Sequence, residues 1–479
     1  MEQNRPLNKY TLQMKKVAWI IILAMGTFTM SGQDISGQWN GLLKIHGTQL
    51  RVVFNISKTD KGFISTMDSP DQGAKGIPTS LTNYENDILR IELAAAGITY
   101  EGTLTKSNQL NGEFRQEDFS SPLLLTREIQ EKEKFVRPQD PVKPYPYYSE
   151  EVKFVNSKAN VTLSGTLTLP QKEGKFPVVV LITGSGPQNR DEEIAGHRPF
   201  LVLSDYLTRN GIAVLRYDDR GIAESTGNFS NGTTQDFEQD VDAAVRYLLT
   251  RKEIDKKKIG LIGHSEGGII APAVAAKSKD IRYIVLMAGC GMDGKDLLLL
   301  QAELIGKAMG QTEEQLDKNR RINKGVFDIV LNASDSATMR KDLTAYFFEN
   351  MKNFPLDAKP AGVSDEVFIW QQMRELASPW FQYFLKYDPA LVLRKVKCPV
   401  FALNGSKDLQ VSPRENLSAI KSNIEQGGNN KITVREYPDL NHLFQNCTTG
   451  LPSEYEKIQQ TISPQVLRDI TDWILMQTK

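Results

Sequence analysis

The chain has 479 residues with 58 basic and 58 acidic side chains, a formal charge of zero, and 40% of its residues are hydrophobic. That length exceeds one simple core and predicts two or three domains. The charge balance excludes the basic field that nucleic-acid binding requires. Cys290, Cys398 and Cys447 are far apart and lack metal-ligand spacing.

At the N-terminus, Met14-Lys15-Lys16 precedes the apolar run Val17 to Met25, and the small or polar residues Thr29, Ser31 and Gly32 follow. Residues 1–33 therefore read as a secretory signal peptide, with an apolar run short for a membrane span. Export is the expectation, with no stable membrane anchor after cleavage. Isolated buried thiols are expected at all three cysteines, a Cys398–Cys447 disulfide being the alternative in an oxidising compartment.

Residues 34–128 alternate apolar and polar residues in short runs, such as Leu50 to Ile56 and Ile88 to Leu93, separated by turn-formers such as Asp60-Lys61-Gly62 and Asn111-Gly112. This pattern predicts a small antiparallel β domain, a barrel or curled sheet. The opening Gly37-Gln38-Trp39-Asn40-Gly41 resembles that of small ligand-binding barrels, although a Trp plugging one end of the core is the simpler reading. Pro138, Pro141, Pro144 and Pro146 mark 129–149 as a linker.

From residue 150 to 479 the pattern changes to strands alternating with helices, which predicts an α/β fold with a mostly parallel sheet covered on both faces. Val178–Ile182, Ile212–Leu215, Lys258–Ile262, Tyr283–Met287, Pro399–Leu403 and Ile432–Val434 read as strands. Helices are expected from Pro199 to Arg209, from about Asp236 to Leu249, and after Ser463-Pro464. The stretch at about 291–390 has helical patterning without a convincing strand and is expected to form a helical cap over the sheet's C-terminal edge.

The chemistry centres on Gly263-His264-Ser265-Glu266-Gly267, which fits a nucleophile elbow because a short apolar run precedes it and a helix rich in small residues follows. A serine hydroxyl needs a base. Of the four histidines, His46 lies in the β domain, His264 is inside the elbow and His197 begins a helix, which leaves His442. The base in turn needs an acid to fix its tautomer. Asp408, just after the strand ending at Leu403, is preferred, whereas Asp439 reads as a turn former and Asp388 as a helix terminator. An oxyanion requires two aimed backbone N–H groups. One is expected at Glu266, the other at Ser185 or Gly186 in Thr183-Gly184-Ser185-Gly186-Pro187.

Gly184 to Asp191, Tyr217-Asp218-Asp219-Arg220-Gly221, Gly263 to Gly268 and Asn441-His442 together resemble the α/β-hydrolase superfamily. More narrowly, the chain is similar to bacterial EstD-type serine carboxylesterases, which carry an extra N-terminal β domain. The resemblance covers about residues 150–479, with one departure at Thr183, where many relatives have histidine. It implies a Ser-His-Asp mechanism through an acyl-enzyme, a small-molecule ester as substrate, no metal and no cofactor; the signal segment adds the expectation of a periplasmic or extracellular bacterial setting. A serine peptidase acting on short peptides, or a thioesterase or acyltransferase of the same fold, is the alternative. In the cap, Ser378 to Leu385 concentrates aromatic residues, and Trp380 and Phe381 are expected to line an acyl pocket.

Overall fold

The computed structural model describes residues 34–45, 48–72, 74–116, 119–131, 136–350, 369, 373 and 376–479; the expected signal segment 1–33 and His46 lie outside them. Nine strands come first: β1 (Gly37–Ile45), β2 (Thr48–Thr59), β3 (Gly62–Ser69), β4 (Ala74–Pro78), β5 (Leu81–Glu85), β6 (Ile88–Leu93), β7 (Ile98–Leu104), β8 (Leu110–Gln116) and β9 (Phe119–Thr126). They form one antiparallel sheet in the order β4-β3-β2-β1-β9-β8-β7-β6-β5. The two edge strands are consecutive in the chain, and the Ser65 and Thr82 hydroxyls meet at 2.8 Å, so the sheet curls back towards itself.

Period-two alternation turns Trp39, Phe54, Leu89, Ile91, Tyr100 and Phe114 to one buried face. Trp39 plugs that core: its indole N–H donates to the Ile35 carbonyl at 2.8 Å, and the Arg127 guanidinium lies 3.8 Å from the ring centre. Gly102 and Gly112 pair across β7 and β8, and the Tyr100 ring lies over both. The Tyr100 hydroxyl donates to the Leu110 carbonyl at 3.0 Å.

The second sheet has eight strands: β10 (Tyr148–Asn156), β11 (Val161–Leu169), β12 (Phe176–Ile182), β13 (Ala213–Tyr217), β14 (Ile254–His264), β15 (Ile281–Met287), β16 (Val400–Gly405) and β17 (Ile432–Tyr437). Their order is β10-β11-β13-β12-β14-β15-β16-β17. The first two are an antiparallel hairpin joined antiparallel to β13, and all later pairings are parallel. This is the α/β-hydrolase fold. The hairpin was not expected from the sequence.

Helices α1 (Pro199–Arg209) and α10 (Pro464–Gln477) cover one face, with Leu203, Leu207, Ile470 and Trp473 in the shared core. The other face packs against α2 (Thr234–Thr250), α3 (Gly267–Lys277) and α9 (Pro413–Gln426) through Val241, Leu248, Val274 and Ile420. Proline at the first position starts α1, α9 and α10, and a Thr233–Asp236 capping box starts α2. The insertion between β15 and β16 contains α4 (Gly294–Ala308), α5 (Glu313–Asn332), α6 (Ser336–Asn350), α7 (Pro379–Lys386) and α8 (Ala390–Leu393). It has its own apolar core around Val330, Leu343, Phe347 and Phe381. Cys290, Cys398 and Cys447 are free thiols, the first buried and the others half-buried.

The close strand contact at Gly112 yields a prediction for the β sheet. A Cβ there would overlap the Glu101 carbonyl and stand 2.6 Å from the Gly102 Cα, both backbone atoms that cannot swing away. Gly112→Ala is expected to destabilise the sheet by about 3 kcal/mol. Tyr100→Phe, which leaves two carbonyls with one donor fewer, should cost about 1 kcal/mol. Urea unfolding followed by circular dichroism checks the ranking, and an unshifted Gly112→Ala midpoint would contradict the tight pairing.

Candidate active site

Ser265 sits where β14 turns into α3 with φ +53°, a left-handed conformation that costs a non-glycine residue about 1–3 kcal/mol. Its N–H donates to the Met287 carbonyl and its carbonyl accepts from the Gly268 N–H, each at 2.9 Å. The turn is possible because its neighbours lack side chains. A Cβ on Gly263 would overlap the Gly267 carbonyl, one on Gly267 would overlap the Ile182 carbonyl, and one on Gly268 would stand 2.5 Å from the Gly289 Cα.

Parallel register brings the other residues to the same edge. Ile182 pairs with Gly263, so the loop after β12 emerges beside the elbow, where a Gly184 Cβ would come 3.2 Å from the Ser265 Cβ. The Gly184 N–H donates to Glu192 Oε1 at 2.8 Å, whereas no acceptor among the described residues takes the N–H of Ser185, Gly186 or Glu266. Gly186 has φ +91°.

Gly405 pairs with Tyr437, so the loops after β16 and β17 run side by side and carry Asp408 and His442. His442 Nδ1–H donates to Asp408 Oδ2 at 2.8 Å. The other carboxylate oxygen, Oδ1, accepts the N–H groups of Gln410 at 2.8 Å and Val411 at 2.9 Å. The buried Asp408 carboxylate is thus held on both oxygens. Asp439, with φ +58°, forms an exposed turn and pairs with Lys407 at 2.8 Å. Asp388 accepts the Ala390 N–H at 2.9 Å, in the turn that leads into α8.

Behind these groups lies a buried network that sequence reasoning missed. His264 Nδ1–H donates to Glu192 Oε1 at 2.9 Å, and its Nε2–H donates to the His442 carbonyl at 3.0 Å. Both ring nitrogens face acceptors, which calls for an imidazolium. Burial opposes that charge, but the Glu192 carboxylate and the His442 carbonyl outweigh it and raise the His264 pKa. One glutamate thereby connects the residue before Ser265 with the loop after β12, and His264 connects both to the backbone of His442. Asp219 is pushed well above the usual carboxylate range by burial, although it accepts from the Gln188 N–H and the Thr183 hydroxyl.

The Glu266 side chain points the other way. Its Oε1 accepts the Thr234 hydroxyl at 2.7 Å and the Trp380 indole N–H at 2.8 Å, so it joins the elbow to α2 and to the cap. Burial raises its pKa, with those two donors opposing the rise.

Ser265 and His442 open onto a cavity of about 360 Å³ lined also by Ser185, Gln188, Glu192, Ile194, Ala195, Gln410, Leu443 and Tyr455. Trp380 and Phe381, expected on an acyl pocket, do not line this cavity. Phe381 faces the cap core beside Phe327, and Trp380 stacks on Phe384 with its N–H committed to Glu266. The aromatic side chains of α7 divide between two clusters: Phe381 packs in the cap core, whereas Phe384, with Trp380 against it, packs on Ile269, Cys290 and Val411 beside the elbow. Among the described residues no cluster of three or more His, Cys, Asp or Glu is disposed to ligate a metal ion.

The Glu266 contacts predict a pH signature. A carboxyl whose pKa is raised on folding contributes stability that is fully present below its unfolded pKa and is lost as pH rises through the folded value. Glu266→Gln keeps an oxygen for Thr234 and Trp380 but does not ionise. Its melting temperature relative to the parent chain should therefore increase between pH 5 and pH 8. A difference independent of pH would refute the buried-carboxyl assignment.

Comparison with known proteins identifies the family. Residues 159–435 match the family described as X-Pro dipeptidyl-peptidase (S15 family). Esterase EstD of Thermotoga maritima is 26% identical over 65% of this chain, and the match spans 65% of that relative's length. An uncharacterized 31.7 kDa protein in the traX-finO intergenic region of Escherichia coli is 23% identical, over 58% of this chain and 87% of its own. Among solved structures, the Pyrococcus furiosus esterase Pf2001 aligns with 72% of this chain and 98% of its own at 17% identity and a TM-score of 0.42. With its match extending over more than half of the chain, the protein belongs to the X-Pro dipeptidyl-peptidase (S15) family.

Proposed function

We propose that the protein is a serine hydrolase that cleaves small carboxylic esters through Ser265, His442 and Asp408. The observation that carries this reading is the His442–Asp408 hydrogen bond at 2.8 Å, on a carboxylate locked by two further N–H groups, at the cavity onto which the strained Ser265 opens. Asp408 holds the Nδ1–H tautomer, which leaves His442 Nε2 unprotonated and able to act as base. Ser265 Oγ attacks the ester carbonyl as its proton passes to Nε2. The charge developing on the carbonyl oxygen is met by the N–H of Glu266 and that of Ser185, neither of which has another partner among the described residues. Gly184 is a poorer donor because its N–H is committed to Glu192. The imidazolium then protonates the leaving alcohol, and a water activated by the same nitrogen releases the acid from Ser265.

A dipeptidyl peptidase is the second reading, favoured by the family match. It requires an anion for the substrate's terminal amine. Glu192 is the one acid among the described residues lining the cavity, and its Oε1 already accepts from both Gly184 and His264. Ester cleavage needs no such anchor. The similarity to the Thermotoga maritima esterase also supports the ester reading.

A panel of p-nitrophenyl esters set against aminoacyl and dipeptidyl anilides separates the two. Turnover of esters with at most trace cleavage of anilides is expected, and the reverse ranking would replace the esterase reading by the peptidase one. Ser265→Ala should lower kcat at least about 10⁴-fold. Asp408→Asn, which frees the wrong tautomer, should lower it on the order of 10³- to 10⁴-fold. Retained ester turnover in Ser265→Ala would rule out Ser265 as the nucleophile.

A further inference from the structure

The segment between the two sheets contacts the walls of the cavity. Arg137, nearly buried, donates from Nε to the Gly196 carbonyl at 3.3 Å and from Nη2 to the Ala195 carbonyl at 3.0 Å. The same guanidinium reaches a second loop, donating to the Glu456 carbonyl at 2.9 Å and the Ile458 carbonyl at 2.6 Å. Two residues on, the Gln139 side-chain oxygen accepts the N–H groups of Thr461 and Ile462 at 2.6 and 3.1 Å, while its amide donates to the Ile462 carbonyl at 2.7 Å. Asp140 pairs with Arg198 at 2.6 Å. These contacts dock residues 137–140 against the hydrolase fold.

Both loops line the cavity at Ser265, the first through Ile194 and Ala195, the second through Pro452 and Tyr455. The first is a tight turn. Ile194 and His197 exchange backbone hydrogen bonds at 2.9 and 3.0 Å, and the two central residues have φ +50° at Ala195 and +73° at Gly196. A left-handed alanine is strained and needs its surroundings to hold it, and the guanidinium caps the carbonyls of both central residues. His197, fully buried, ties the turn to the second loop through Thr461 Oγ1 at 3.0 Å and the Tyr455 carbonyl at 2.9 Å. A planar guanidinium with five fixed donors can bridge several carbonyls on two loops; a lysine ammonium cannot do so in one geometry.

We propose that Arg137, supported by Gln139, is a clasp that sets the width of the substrate cavity, so that the connecting segment determines which acyl or alcohol groups the hydrolase accepts. The inference rests on the serine-hydrolase reading above. Arg137 touches no reacting group; it holds the Ala195 carbonyl and, on the second loop, the carbonyl of Glu456 next to Tyr455, and Ala195 and Tyr455 face the cavity. Loosening the clasp blurs selection by size and leaves the chemistry of Ser265 and His442 in place.

The test uses the whole chain with Arg137→Ala and Gln139→Ala, p-nitrophenyl esters from acetate to octanoate, and hydrogen exchange over residues 192–198 and 452–462. In Arg137→Ala the KM for the best ester should rise roughly threefold to tenfold while kcat changes less than about twofold. The chain-length preference should flatten, both loops should exchange faster, and added guanidinium ion should restore part of the preference. An unchanged KM and preference overturns the proposal, and so does faster exchange with preference intact. If Arg137→Ala does not fold, Gln139→Ala decides by the same readouts. Fluorophosphonate labelling of Ser265 runs in parallel. A labelled variant with unaltered preference defeats the clasp alone, whereas an unlabelled parent chain defeats the hydrolase reading and the specificity role together.

Discussion

The close approach of α3 to the end of β12 and β14 is the constraint on which the site depends. Three glycines, at 263, 267 and 268, let a helix start within contact distance of two strands, and the Ser265 backbone is pressed into a left-handed conformation as a result. Everything else at the site takes its position from that turn. The parallel register sets the loop after β12 against the serine, and the neighbouring strands β16 and β17 deliver Asp408 and His442 to the same edge. Strain at the turn is sustained because backbone hydrogen bonds on both sides of Ser265 overdetermine it.

Around this turn the chain buries several ionisable groups, each with a partner. Glu192 and His264 form a hydrogen-bonded pair behind Ser265, and Glu266 connects the elbow to the cap through Trp380. Such groups are costly to bury singly and become stable when every donor meets an acceptor. The result is a preorganised surrounding in which the tautomer of His442 and the aim of the loop N–H groups are set before substrate arrives. The proposed Arg137 clasp extends the same logic outward, from Ser265 and His442 to the walls of the cavity they open onto.

Much of this was legible in the sequence because it is local. The elbow pattern sits between a strand and a helix, and the helix from Pro199 to Arg209 carries its own start signal. The alternation in residues 34–128 reappears as the curled antiparallel sheet. The β10–β11 hairpin carries a clear alternation, with Val161, Leu163, Leu167 and Leu169 set against Thr162, Ser164, Thr166 and Thr168; it escaped because an antiparallel strand pair does not belong to the strand–helix pattern expected from residue 150, not for want of a signal. Glu192 and Arg137 escaped for a different reason: their partners lie 72 and more than 300 residues away. Nothing in the local pattern marks a glutamate that reaches His264 or an arginine that reaches Ile458. The aromatic density at Trp380 and Phe381 does not by itself say which way each ring faces: Phe381 lies in the cap core, while Trp380 reaches Glu266 at the elbow, and neither lines the cavity at Ser265.

In the proposed mechanism one strained serine, and no other residue, carries the acyl group. Inactivating the whole chain with an organophosphate and mapping the modified peptide by mass spectrometry measures this directly. One adduct per chain is expected, on Ser265, formed in parallel with loss of ester turnover. Full inactivation with the adduct on another residue, or ester turnover that persists in fully modified protein, would contradict it.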